Sequence, residues 1–64
     1  KESGRTKQRQ NQLRSGPSTS FDKLATFPAK QEINIFGETN GWYHVRIGDS
    51  LEGFMHHSLI LIKP

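Results

Sequence analysis

This chain of 64 residues has no cysteine, one tryptophan, one tyrosine and one methionine. Without cysteine, disulfide staples are excluded, and the cysteine count leaves the redox compartment open. No apolar run approaches the ~18 residues of a membrane-spanning helix. No segment has the charged, apolar and small-residue succession of a secretory signal. No amphipathic helix of useful length and no internal repeat is present. Glycine is scarce in any phosphate-cradling arrangement. The six serines lack a Gly-x-Ser-x-Gly setting or an evident His/Asp arrangement. Asp49 and Glu52 fall in turn or rim positions rather than forming a shielded acid/base pair. The interior of a barrel this small is filled by its own side chains, which leaves no room for an enclosed catalytic pocket. These absences point away from an enzyme. The chain also starts at Lys1 rather than at a methionine and is read as a piece of a longer protein.

What is present is unevenly distributed. Residues 1–14 carry Lys1, Arg5, Lys7, Arg9 and Arg14 against Glu2 alone, five cations minus one anion, or +4. Residues 15–64 carry four cations and five anions, or −1. Residues 1–12 contain no apolar side chain. Such a segment buries too little surface to offset its ordering entropy, so residues 1–10 are predicted to be a disordered basic arm or linker. A basic arm can hold nucleic acid or an anionic surface by charge. It has no interleaved aromatics, and residues 15–64 offer no basic stripe around Trp42, Tyr43 and Phe54, so nucleic acid is a minor reading.

From residue 11 onward the pattern is that of short strands. Asn11–Arg14 is a possible strand, and Ser15-Gly16-Pro17-Ser18 is a turn cluster. Residues 23–27 are predicted to be extended before Pro28, with Phe21, Leu24 and Phe27 as apolar anchors. Glu32–Glu38 follows, with Ile33 and Ile35 on the core face and Phe36 on the opposite parity, where it could cover a barrel end. Asn40-Gly41 is the strongest short-range hairpin signal in the chain. Alternation continues through Trp42–Ile47, where Tyr43, Val45 and Ile47 share a parity. Gly48-Asp49-Ser50 turns into Leu51–His56, with Gly53 as a bulge or close-approach site. His57–Ile60 suits a single tight helical turn, and Leu61-Ile62 a final strand. Short strands with turn signals every 8–12 residues indicate a small all-β barrel.

Four stretches then fall into a recognisable order. They are Leu13-Arg14-Ser15-Gly16-Pro17-Ser18, Phe27-Pro28, Asn40-Gly41-Trp42-Tyr43-His44-Val45 and Glu52-Gly53-Phe54-Met55-His56. Together they closely resemble the bacterial SH3 domain family over about residues 11–62. Three positions depart from that family's pattern. Asn11 stands where an apolar residue is usual, the usual glycine is missing around Ala29-Lys30-Gln31, and Phe54-Met55 replaces Trp or Tyr followed by Val. Asn11 leaves the pairing of the first strand in question.

The resemblance implies an SH3-like barrel of five to six strands over residues 11–64 and a noncatalytic binding module. Family members are commonly attached to cell-wall hydrolases or other extracytoplasmic proteins, so the parent protein could be such a hydrolase. The implied partner is a peptidoglycan peptide or a protein segment, and the implied location is the cell envelope or the medium. The alternative is a structural or assembly domain docking within its own parent protein or complex. No cofactor is implied, and the chain is read as a monomer.

The candidate ligand-binding residues are Asn40, Trp42, Tyr43, Phe54 and His56. Trp42 matches the position at which eukaryotic SH3 domains display a tryptophan to proline-rich ligands. An indole offers a large apolar face and one N–H donor. Packing of Trp42 as a barrel cap against Phe36 or Leu51 is an equal alternative. Tyr43 is favoured for the core or rim, and Phe54 for packing or for one wall of a groove beside Trp42. His56 falls where eukaryotic SH3 domains place a groove proline; a surface or turn histidine is the competing reading. Asn40 would add an orienting amide. No metal site is expected, because adjacent His56 and His57 in extended backbone would point to opposite faces and His44 shares no evident carboxylate with them.

Overall fold

The computed structural model of this protein describes residues 2–63. Among these, seven strands form one antiparallel sheet: β1 Glu2–Thr6, β2 Asn11–Arg14, β3 Lys23–Phe27, β4 Glu32–Thr39, β5 Trp42–Ile47, β6 Leu51–His56 and β7 Ile60–Ile62. A single 3₁₀ turn, His57–Leu59, links β6 to β7. The spatial order is β3-β2-β6-β5-β4-β1-β7. The sheet curls on itself into a body of 30 × 23 × 22 Å.

The meander β4–β5–β6 forms for the reasons visible in its alternation. Ile33, Ile35, Val45, Ile47 and Met55 all point inward and are buried together with Leu13 and Ile60. Each contributes roughly 1.5–3 kcal/mol by leaving water. Asn40 (φ 52°) and Gly41 (φ 83°) both adopt left-handed backbone, as a two-residue type I′ turn requires, and Thr39 faces Trp42 across it. Phe36 is the extra residue of a β-bulge: Ile35 faces Val45 and Gly37 faces His44. It is exposed and its ring lies 6.1 Å from that of His44, rather than over a barrel end. Gly53 is a close-approach site, where a Cβ would come within 2.7 Å of the Arg14 carbonyl on β2.

The first ten residues correct the expectation of a disordered arm outside a barrel of residues 11–64. Glu2–Thr6 is a strand inserted between β4 and β7, with Gly4 facing Ile33 on one side and Ile62 on the other. The barrel therefore has one or two strands more than expected and includes residues 2–6; Lys1 lies outside the described residues. The physical reason is that β1 turns only Gly4 and Thr6 inward. Gly4 sits where a Cβ would approach the Leu61 carbonyl to 2.9 Å. The buried Thr6 hydroxyl donates to the Pro28 carbonyl at 2.6 Å and accepts from the Gln31 N–H at 2.9 Å. Neither residue type carries an apolar signal, yet the strand satisfies its backbone on both edges.

Asn11, the departure from the expected apolar residue, does not disturb β2. It is fully buried and pairs with Phe27 of β3. Its Nδ2 donates to the carbonyls of Gln8 at 2.8 Å and Phe27 at 3.0 Å, and its Oδ1 accepts from the Gln8 N–H at 3.2 Å. Thr6 and Asn11 thus tie the 7–10 loop to the 28–31 turn. The backbone bond from the Lys30 N–H to the Thr6 carbonyl, 2.8 Å, draws the same two segments together. These bonds fasten the end of edge strand β3 to β1, near the opposite edge of the sheet, and so hold the curl closed.

Candidate functional site

Trp42 opens β5 directly after the turn, and its register partner on β6 is His56. The two rings meet edge to face with centroids 5.2 Å apart. Trp42 is only 9% exposed, but it lies outside the main apolar cluster. It lines a groove of about 310 Å³ with Gln12, Arg14, Thr19, His56, Ser58 and Leu59. The indole is packed edge to face on His56, whereas the expected cap would have set it against Phe36 or Leu51, and it also lines a concave surface.

The walls of this groove are fixed by hydrogen bonds. The Arg14 guanidinium donates from Nη1 to the carbonyls of Thr19 and Phe21, both at 3.0 Å, and from Nη2 to Gln12 Oε1 at 3.0 Å. It thereby holds the 15–22 loop against β2. Phe21 packs its ring over Gly16 within the same loop. On the other wall His56 Nδ1 lies 2.8 Å from Ser58 Oγ and accepts from the Ser58 N–H at 3.3 Å. That contact caps the 3₁₀ turn, while the His57 N–H donates to the Gly41 carbonyl at 3.0 Å and docks the turn on the hairpin. Pre-fixed walls reduce the ordering cost of binding.

The five expected site residues do not all gather here. Trp42 and His56 do. Phe54 shares their face of the sheet but stacks on His44, centroids 5.0 Å apart at 18°, and is not among the groove's lining residues. Tyr43 has the opposite parity; it is half-buried against the core and lines a separate concavity with Glu2, Ile35, Phe36, Gly37 and Glu38. Asn40 is exposed in the turn, where its positive φ serves the hairpin, and does not line the groove. Gln12, Arg14, Thr19, Ser58 and Leu59 line the groove but were not singled out from the sequence. Arg14 is itself a motif residue and Ser58 lies two positions after one; the approach of β2 to the 3₁₀ turn is a long-range contact with no local signal.

His56 and His57 do not diverge as extended neighbours would. The chain bends into the 3₁₀ turn between them, bringing their rings to 4.4 Å. Among the described residues no group of three or more His, Cys, Asp or Glu side chains is placed to hold a metal ion. Among the same residues no helix is long and apolar enough to cross a membrane.

The family model for the bacterial SH3 domain matches residues 12–60, well over half of the chain. That span runs from the second residue of β2 through the 3₁₀ turn and takes in every residue lining the Trp42 groove. No curated protein and no solved structure matches the chain.

Proposed function

The chain belongs to the bacterial SH3 domain family, whose members are generally binding modules, and from this we propose that it is a noncatalytic module recognising a cell-wall peptide. The Trp42–His56 groove supports this reading most directly. It is an open concavity between β2 and the 3₁₀ turn, lined by an aromatic side chain and by polar side chains that are already hydrogen-bonded. Such a surface suits an extended peptide better than a compact metabolite. The module would position its parent protein at peptidoglycan outside the cytoplasm.

The chain's single tryptophan lines the groove, so its emission reports occupancy. Titration with soluble peptidoglycan fragments should change Trp42 fluorescence saturably. His56→Ala should weaken binding about fivefold or more, as expected when a contact worth over ~1 kcal/mol is lost. No change in emission at millimolar fragment would refute the reading.

A second reading is supported by a different region. Phe21 is exposed beside edge strand β3, Leu24 on that strand, and Leu61 on edge strand β7. Apolar side chains beside free sheet edges suit docking to another part of the parent protein. Tight association with a neighbouring domain, blocked by Leu24→Asp but not by His56→Ala, would select that role.

A further inference from the structure

Leu59 belongs to more than the Trp42–His56 groove. The same side chain lines a second concavity, formed with Gln8, Arg9 and Gln10 of the β1–β2 loop. The two concavities thus share Leu59 as a wall. No acidic side chain lines either one among the described residues; Arg14 and His56 stand in the first, Arg9 in the second. Arg14 has committed three N–H groups to the protein. Arg9 is exposed and has no ion-pair or hydrogen-bond partner for its side chain among the described residues. Lys7 stands exposed on the same loop.

The loop that carries Arg9 is held at both ends. Buried Asn11 binds both the N–H and the carbonyl of Gln8, and the Lys7 N–H donates to the Leu59 carbonyl at 3.0 Å. By contrast, the concavity beside Tyr43 is lined by Glu2 and Glu38. The field along the molecule therefore favours an anion in the first trough and disfavours one in the other.

We propose that Gln8–Arg9–Gln10 form a carboxylate subsite that continues the Trp42–His56 groove across Leu59. Its ligand is an extended peptide that lays apolar and backbone surface along Trp42 and directs a free carboxylate to the Arg9 guanidinium. An arginine fork matches a carboxylate in two hydrogen bonds, and the Gln8 and Gln10 amides supply further donors. The inference rests on the groove reading above and adds the charge its ligand must carry.

The test compares a synthetic wall stem peptide bearing free carboxylates with the same peptide fully amidated, by amide chemical shifts of the labelled protein. The expected result is that the acid form shifts Gln8–Gln10 and Leu59 together with Trp42 and His56, and binds about three- to tenfold more tightly. Arg9→Gln should erase that difference. Equal binding of both forms, with shifts confined to Trp42, His56 and their neighbours, overturns the subsite and leaves the groove standing. Silence at both concavities with both peptides overturns the subsite and the groove together.

Discussion

The two sides of this barrel are built on different principles. The β4–β5–β6 meander is held by inward isoleucine, valine and methionine side chains and by a two-residue turn. The β1–β2 side gives that core only Leu13, and it is tied to β3 by a glycine with no room for a Cβ and by two buried polar side chains, Thr6 and Asn11. The meander follows a pattern that any sequence of its type would show. The other side depends on a few specific hydrogen bonds, each of which is cheap when made and costly when one partner is lost. The groove lies on the seam: Gln12, Arg14 and Thr19 come from the polar side, Trp42 and His56 from the meander.

The largest expected effect is on the apolar side. Ile35→Ala should cost about 2–5 kcal/mol, because the side chain is buried among tightly packed neighbours. In a domain this small that removes much of the stability, and chemical denaturation should show the midpoint fall without a second transition. Asn11→Ala comes next. It leaves the Gln8 and Phe27 backbone groups without their partner, at about 1–3 kcal/mol. If Asn11→Ala matched a surface substitution in its effect, the polar side would not be held as described.

Thr6→Val keeps the shape and removes only the hydroxyl that bridges Pro28 and Gln31. It should cost about 1–2 kcal/mol in the same assay. Hydrogen exchange sharpens the comparison without mutation. The Thr6 N–H, bonded to the Gln31 carbonyl at 3.0 Å, should be protected to the level of β4 amides; rapid exchange there would show that β1 opens independently. The smallest effect belongs to Leu24→Thr on the outer edge strand, 47% exposed, which should stay within about 0.5 kcal/mol.

The same division explains what could be read from the sequence. Period-two alternation located β5 and β6 to their end residues and marked Val45 and Ile47 as core. Asn40-Gly41 identified the turn because its chemistry is local. Residues 2–6 were misread because the two inward positions, Gly4 and Thr6, look like those of a linker. Their roles depend on Leu61, Pro28 and Gln31, distant in the chain. The site divided similarly. Motif order named Trp42 and His56, which line one groove, whereas Tyr43, a candidate contact whose parity favoured the core or rim, packs against the core on the other face. Arg14 and Leu59 join the groove only through the pairing of β2 with β6 and the docking of the 3₁₀ turn.

The most direct test of the account is an amide chemical-shift titration of the labelled domain with soluble peptidoglycan fragments. The account predicts saturable shifts on both sides of the seam, at Gln12, Arg14 and Thr19 and at Trp42, His56 and Ser58. Shifts gathered instead around Glu2, Phe36 and Tyr43, or none at millimolar fragment, would contradict it.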